Sequence, residues 1–406
     1  MIAEAPDRPR LETAKIAVGV TFGMNGLAFA GWFARIPAVR EDLGLSSAGL
    51  GLLLLCLSGA ALAAIPLAGP LVQRAGPGRA VLFGSMSVAL GLLAMAAGTE
   101  LGSVPLAGAG LILLGMGNST WDVAMNVEGA DVERRLRRTL MPRFHAGFSL
   151  GTVGGAGVSA AAAAAGVSVS TQLFCTAIVG VTVMILTVRR FLPHTAATAE
   201  QRSSGRVRDA WREPRTLLIG VIMLGFGFTE GAANDWLAIG LVDGYHASET
   251  TGAIGFGFFV TAMTLARLFG GNAIERWGRV RVLRGTALSA LIGLLLVVSG
   301  IGVPLVLLGA LLWGAGASLG FPVGMSAAAD DPLRAAIRVS VAGSIGYGAF
   351  LAGPPLIGLL AERFGVLRAL LVVVAAIGLG LAASGAARPL LLGDAEARKP
   401  ETAPKT

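Results

Sequence analysis

One eight-residue pattern occurs twice in this sequence, at an offset of about half the chain. Residues 69–76 (GPLVQRAG) and 271–278 (GNAIERWG) both read G-x-x-x-[acid or amide]-R-x-G. The two copies are 202 positions apart (271 − 69) in a chain of 406 residues, and each follows a long apolar segment. A pattern that recurs at such an offset indicates a duplicated unit. The chain is therefore expected to fold as two related halves.

The composition excludes a soluble globular protein. The sequence is 54% hydrophobic and 14% charged, with a mean hydropathy of +0.73, whereas soluble domains carry about 25% charged residues. The net charge of +8 does not indicate a nucleic-acid partner, because the basic residues lie in short loops between apolar runs, as in a membrane protein. Cys56 and Cys175 are lone thiols within apolar segments, which predicts neither a disulfide nor a metal site.

The sequence contains no nucleotide-binding glycine loop and no catalytic motif. We therefore expect no enzyme activity and no cofactor. Any transport process would draw its energy from an ion gradient.

Twelve apolar segments are long enough for transmembrane helices, which need about 20 apolar residues each. The predicted spans are 15–38, 47–72, 79–99, 104–128, 144–166, 170–191, 216–241, 250–273, 282–300, 303–326, 336–361 and 366–388. They give an N-terminal six-helix bundle (1–192), a cytoplasmic linker (193–215), a C-terminal six-helix bundle (216–392) and a disordered cytoplasmic tail (393–406). The prediction is an all-α membrane protein with twelve transmembrane helices in two pseudo-symmetric bundles, the architecture of secondary transporters.

Arginine placement predicts the orientation of the chain in the membrane. Arginines are concentrated in the linker and in the loops after even-numbered spans. The loops after odd-numbered spans hold only Arg35, Arg40, Arg363 and Arg368. Because basic loops stay in the cytoplasm, we expect both termini on the cytoplasmic side of a bacterial inner membrane.

The repeated loop motif resembles that of the major facilitator superfamily, and the resemblance extends over essentially the whole chain. In that family the glycines allow close helix contact, and the acid meets a helix end and an arginine to latch one conformation. The resemblance implies a conformational latch in two copies, which consist of Gly69, Gln73, Arg74, Gly76 and Arg79 and of Gly271, Glu275, Arg276, Gly278 and Arg279. Gln73 stands where the family usually has Asp. Either the first latch is weaker, or the second copy dominates.

Span four is similar to that of the fucose-permease-like and uncharacterised bacterial inner-membrane branches of the family. In these branches an acid is followed four residues later by Asn, as Asp122 is followed by Asn126 here, and Phe321-Pro322 in span ten resembles the same branches. The proline-bearing motif on span five of many drug antiporters is absent, as is their span-four arginine. The resemblance therefore favours uptake over export.

Polar side chains within the spans form the candidate site, because a charge at bilayer depth costs about 2.5–3.5 kcal/mol on insertion scales. In span four, Asn118, Asp122 and Asn126 recur every four residues and form one stripe. Asp122 is interpreted as the proton carrier, with a packing role as the alternative, and Glu230 in span seven is the second acid. The other candidates for the substrate and proton site are Asn25, Trp32, Trp121, Asn234, Trp236 and Arg267.

Two basic side chains have alternative interpretations. Arg267, the one cation deep in a span, either pairs with Asp122 or braces the motif that contains Glu275. His145 is expected at the cytoplasmic mouth, in the ion pairs of the loop or as a proton relay.

Together these features predict a secondary active transporter that moves a small polar solute, such as a sugar, across the inner membrane by alternating access and proton symport. The expected partners are the small-molecule substrate, protons (with sodium as the alternative ion) and the lipid bilayer, and the expected state is a monomer. Two other functions stay open: a proton-coupled efflux antiporter for a drug or metabolite, and a membrane sensor that has lost transport.

Overall fold

A computed structural model of the chain describes residues 8–33, 35–45, 47–193, 207–247 and 249–390. This part of the chain contains helices and no strand. Six long helices form the first half: α1 (Arg8–Phe33), α2 (Ser47–Ala75), α3 (Pro77–Glu100), α4 (Val104–Leu136), α5 (Met141–Ala164) and α6 (Val169–Val188). Six more form the second half: α7 (Pro214–Tyr245), α8 (Glu249–Trp277), α9 (Arg279–Val298), α10 (Val303–Ala328), α11 (Ala335–Phe364) and α12 (Val366–Ala387).

The glycines that end the two repeated motifs set helix boundaries. Gly76 and Gly278 have φ angles of 86° and 78°, and each is the N-cap of the helix that follows. Only glycine adopts this left-handed conformation without a steric cost from Cβ. The final glycine of each motif therefore turns the chain from α2 into α3 and from α8 into α9.

The outer surface of this bundle is apolar, as a bilayer requires. Large side chains such as Leu52, Leu67 and Phe269 are 65–70% exposed, which is the reverse of the pattern in a soluble protein. By length and composition, ten of the described helices can cross a membrane; α4 and α5 are not among the ten. These two helices contain much of the polar site described below. The chain is a multi-pass membrane protein, and the predicted all-α fold with twelve transmembrane helices is confirmed.

Several helix ends differ from the prediction. The first span does not continue to residue 38: α1 ends at Phe33, and a separate helix begins at Ile36 (Ile36–Asp42). Pro37, at the start of that helix, has no N–H to continue the hydrogen bonding of α1. The helix α4 extends to Leu136, eight residues beyond the predicted end, and α5 begins at Met141, three residues before the predicted start at 144.

The predicted linker and tail are covered only in part. Residues 194–206 of the linker and 393–406 of the tail lie outside the described residues. The last part of the linker contains a short helix, Val207–Ala210, and Ala210 packs on Ile337 and Val341 of α11. The linker thus joins the second half before α7 begins.

The two halves contact each other at one end of the bundle. We call this end the arginine-rich face: it is where α2, α4 and α8 end and where α5 and α11 begin. There α2 packs against α11, and α5 packs against α8. Among the described residues, the hydrogen bonds between the halves lie between this face and the level of Ser149, about 12 Å along α5. The molecule is therefore closed at the arginine-rich face.

Candidate functional site

A chain of three polar side chains connects α4 to α5 inside the first half. Asn126 donates through Nδ2 to the Asp122 side chain (Oδ1, 3.2 Å) and to the Asp122 carbonyl oxygen (2.9 Å). On its other side, Asn126 Oδ1 lies 3.2 Å from His145 Nε2. All three residues are buried. His145 is therefore part of the polar interior and not of the loop ion pairs at the mouth, because α5 begins a turn earlier than the prediction placed it.

The Asp122 carboxyl group faces the second half of the molecule. Tyr347 of α11 lies half-buried next to it, and its hydroxyl interacts with Asp122 and with the charge of Glu230. Among the described residues, Asp122 Oδ2 has no partner with regular hydrogen-bond distance and angles. Oδ1 of this buried carboxyl group is thus held by Asn126, while Oδ2 forms no regular hydrogen bond that a proton on it would break.

Arg267 of α8 is the centre of a second polar cluster. Its Nη2 atom forms an ion pair with Glu230 Oε2 at 2.7 Å, and its Nη1 atom donates to Ser149 Oγ at 2.8 Å. Glu230 lies on α7 in the same half, whereas Ser149 lies on α5 in the other half. The hypothesis of an Arg267–Asp122 pair is therefore replaced by a pair with Glu230. The alternative, in which Arg267 braces the motif that contains Glu275, does not account for these contacts either.

The third contact of Arg267 depends on a proline in α10. A helical carbonyl normally accepts from the N–H four residues later, but the residue four positions after Ser318 is Pro322, which has no N–H. The helix is interrupted there, between Val303–Ala317 and Gly320–Ala328. The Ser318 carbonyl oxygen instead accepts from Arg267 Nε at 3.1 Å. The guanidinium group thereby binds three helices, α5, α7 and α10, at once.

The outer part of the candidate site consists of amide side chains. Asn25 of α1 donates through Nδ2 to Asn118 Oδ1 of α4 at 3.0 Å. Asn234 is exposed and lies one helical turn beyond Glu230, away from the arginine-rich face. Glu230 itself keeps 17% of its side chain exposed despite its ion pair. Neutral hydrogen-bonding groups therefore lie on the side of the two acids away from the contact between the halves.

The three tryptophans of the predicted site lie apart from the acids. Trp32 is fully buried against Phe33. Trp121 lies on the side of α4 that contacts α3, where its backbone nitrogen is 2.8 Å from the position that a Cβ on Gly84 would take. Trp236 lines a separate cavity at the opposite end of α7. The indole N–H groups of Trp32, Trp121 and Trp236 have no hydrogen-bond partner in the described part of the chain.

The second copy of the repeated motif binds the other half. Glu275 Oε1 accepts from the backbone N–H of Thr139 at 2.7 Å, just before α5 begins. A Cβ on Gly271 would lie 2.6 Å from the Thr139 carbonyl oxygen, so only glycine permits this approach. Arg279 forms an ion pair with Asp330 at 2.7 Å and donates to Ser326 at 2.6 Å.

The first copy makes fewer polar contacts. Gly69 meets α11: a Cβ there would lie 2.7 Å from Ser340 Cβ, and the Ser340 hydroxyl donates to the Ile65 carbonyl oxygen. Gln73 Nε2, however, has no hydrogen-bond partner among the described residues. Arg74 and Arg79 are exposed, while Arg276 stacks on Trp277 at 5.6 Å. The copy with Glu275 therefore has more polar contacts than the copy with Gln73, and the role of either copy as a latch stays a prediction.

Sequence analysis did not single out several residues of these clusters. Ser149, Ser318 and Tyr347 each contact a candidate residue, yet a serine or a single tyrosine in an apolar span is common and gives no signal. Glu133 is buried at the end of α4, where it accepts from the N–H groups of Leu140 and Met141. The one available signal in the sequence was that this acid lies beyond the predicted end of span four.

Comparisons with known proteins identify the family of this chain. A model of the Major Facilitator Superfamily matches residues 18–242. An uncharacterized transporter of Sinorhizobium fredii is 34% identical over 354 residues, which cover 87% of this chain and 92% of that relative. An uncharacterized MFS-type transporter of Yersinia pestis is 30% identical over 373 residues, 89% of this chain and 94% of that one.

Solved structures share the fold. The Escherichia coli fucose:proton symporter superposes with a TM-score of 0.77 at 14% identity, covering 93% of this chain and 98% of that chain. A structure of the same symporter in the outward conformation gives a TM-score of 0.76. At this identity the superposition shows the fold alone, whereas the family model and the two bacterial relatives match the sequence itself. The chain therefore belongs to the major facilitator superfamily, a family of secondary transporters.

Proposed function

We propose that this protein is a proton-coupled symporter that imports a small polar solute, of the sugar class, across the bacterial inner membrane. The observation that carries the proposal is the carboxyl group of Asp122. It is buried between the halves: Oδ1 accepts from Asn126, the Tyr347 hydroxyl interacts with the carboxyl group, and Oδ2 forms no hydrogen bond of regular geometry among the described residues. Such a group can gain or lose a proton without breaking its internal hydrogen bond.

A proton on Asp122 changes the energy of closing the site. An ionised carboxylate away from water is costly, and protonation removes that cost. Glu230 does not need a proton for neutrality, because Arg267 already balances its charge. We therefore assign the coupling proton to Asp122 and a structural charge pair to Glu230 and Arg267.

The orientation of the protein in the membrane is inferred from the distribution of its arginines. With the arginine-rich face in the cytoplasm, as the distribution of basic residues favours, the closed face is the inner one and the protein faces outward. The amides of Asn25, Asn118 and Asn234 then lie on the external side of the acids. A solute with several hydroxyl groups would exchange hydrogen bonds with such neutral donors and acceptors. The fucose:proton symporter has the same fold, which supports a sugar as the first candidate.

The test is transport in proteoliposomes that contain purified protein and an internal pH dye. An external acid pulse with a panel of hexoses, pentoses and neutral amino acids should produce solute-dependent acidification inside, for at least one sugar. A protonophore should abolish concentrative uptake. Solute-driven movement of protons in the opposite direction would support an efflux antiporter instead, and a strict requirement for sodium would replace the proton. If no solute of any class binds or moves, the proposal is wrong.

A further inference from the structure

A second cavity lies far from the acids, at the end of the bundle opposite the arginine-rich face. Its volume is ≈ 440 Å³, within the range of cavities that hold small organic molecules. It lies between the end of α7 and the turn from α11 to α12. Its walls are Trp236, Ile239, Asp243, Phe364, Leu367 and Arg368, with adjoining backbone.

The cavity combines one anion and one cation that do not neutralise each other. Asp243 and Arg368 both line it and are both exposed. They form no ion pair with each other, and neither forms one with another residue in the described ranges. Arg368 is also one of the few arginines on the arginine-poor side of the chain. Because no ion pair within the described ranges occupies it, the Arg368 guanidinium can bind an anionic group of a ligand.

The remaining walls are apolar and face outward. Ile239 is 40% exposed and Phe364 is 56% exposed, as are the other large apolar side chains on the lipid-facing surface. Trp236 stands behind them, with its six-membered ring 3.6 Å from the position of a Cβ on Gly358. The charged pair lies near the helix ends, Tyr245 for α7 and Phe364 for α11, which is the depth of lipid headgroups.

We infer that this cavity binds the headgroup of a zwitterionic phospholipid in the leaflet at that face. The Arg368 guanidinium would bind the phosphate, which suits its planar set of donors. The Asp243 carboxylate would bind the ammonium group, and Ile239, Trp236 and Phe364 would contact the glycerol and upper acyl chain. A lipid with both charges, such as phosphatidylethanolamine, fits this lining better than a purely anionic lipid does.

Native mass spectrometry of the purified full-length protein tests this inference. After equal doses of phosphatidylethanolamine and phosphatidylglycerol, the protein should retain at least one molecule of the first lipid, about tenfold more than the second. The variants Arg368→Gln and Asp243→Asn should each lose this adduct. Equal retention of the two lipids, or an unchanged adduct in both variants, would overturn the inference.

Two controls make the result specific. Arg363→Gln and Glu362→Gln remove charges at the same end of α11 but outside the cavity, and both should keep the adduct. Ile239→Trp fills the cavity without changing a charge, so it should displace the lipid even if a charge variant folds poorly. Thermal stabilisation by free phosphoethanolamine equal to that by the intact lipid would assign the cavity to a soluble zwitterion and contradict the lipid proposal.

Discussion

The Nη1 atom of Arg267 lies 2.8 Å from the hydroxyl oxygen of Ser149, and this hydrogen bond joins the two halves near the middle of their helices. The other contacts of Arg267, to Glu230 and Ser318, stay within its own half. Any movement that separates α5 from α8 at this depth breaks one hydrogen bond from a charged donor and leaves the ion pair intact. Breaking this hydrogen bond on opening therefore costs about 1.5–3 kcal/mol.

The ion pair itself is expected to be important for stability. Glu230→Gln leaves the buried guanidinium of Arg267 without a counter-charge, and loss of one partner of a buried pair costs about 3–5 kcal/mol. Because the Glu230 side chain keeps 17% exposure, we expect the lower end of that range. Thermal unfolding in detergent should show the loss as a lower Tm.

The control for this variant is Asp235→Asn, an exposed acid on the same helix. It should melt like the wild type. The double variant Glu230→Gln/Arg267→Gln should recover part of the lost stability, since it removes both charges. Additive losses in the double variant would contradict a coupled pair.

Asp122→Asn should separate coupling from binding. The amide keeps the shape of the side chain and the hydrogen bond with Asn126 but cannot exchange a proton. We expect uptake driven by a proton gradient to fall at least about tenfold, a barrier change of about 1.4 kcal/mol or more. Exchange of labelled for unlabelled solute at equal pH should persist. Full gradient-driven uptake in this variant would remove Asp122 from the coupling mechanism.

Gly69→Val should prevent closure at the arginine-rich face. A Cβ at this position already lies 2.7 Å from Ser340 Cβ and 2.8 Å from the Ala336 carbonyl oxygen, so a larger side chain must push α2 away from α11. Transport should be lost, and a cysteine introduced by Ser344→Cys, buried in the closed protein, should become reactive to a thiol reagent. The measurement requires a background without Cys56 and Cys175.

Gly59→Val provides the comparison within the same helix. A Cβ at Gly59 meets nothing within 4 Å, so this substitution should leave both transport and the reactivity of the introduced cysteine as they were. Equal behaviour of the two glycine variants would show that contact between α2 and α11 does not determine the closed state.

The Glu213 carboxyl group should make stability depend on pH. Burial raises its pKa, but hydrogen bonds from Arg338 and Thr216 and the charges of Arg338 and Arg334 outweigh burial, so the pKa lies below its ordinary value of 4.5. A lowered pKa stabilises the folded protein above the unfolded-state pKa, and this contribution disappears as the pH falls through the folded-state value. Glu213→Gln should therefore lower the Tm at pH 7, and the difference from the wild type should shrink as the pH falls below 4.5.

Melting curves between pH 7 and pH 3 would measure this difference, with Glu362→Gln, an exposed acid at the far end of α11, as the control. The difference in Tm between the wild type and Glu213→Gln should become smaller as the pH falls. A constant difference in Tm across the pH range would mean that the loss of stability comes from packing and not from the charge of Glu213.

The sequence was informative wherever the relevant geometry is local. A spacing of four residues predicted that Asn118, Asp122 and Asn126 share one side of a helix, and the contact between Asn126 and Asp122 follows from that spacing. The turns at Gly76 and Gly278 are also local features, because each needs a glycine with positive φ, but the sequence analysis expected only close helix contact from these glycines.

Contacts between different helices could not be predicted from residue spacing within one helix. The partner of Arg267 depends on how α7 and α8 are rotated and shifted against each other, and no pattern within either helix encodes that. His145 was placed at the mouth because span five was predicted to begin at 144, whereas α5 begins at Met141. A shift of three residues is nearly one turn, which is enough to move a side chain from a loop into the polar interior.

Pro322 gives α10 a property that a continuous helix lacks. Because this N–H is missing, the helix is divided into two segments. The free carbonyl oxygen between them accepts a hydrogen bond from a guanidinium group of a neighbouring helix, not from a peptide N–H of α10. The segment Gly320–Ala328 can stay in contact with the first half through the hydrogen bond from Ser326 to Glu133, while the segment Val303–Ala317 rotates about the break. Mobility on one side of the membrane is thereby compatible with a sealed barrier on the other.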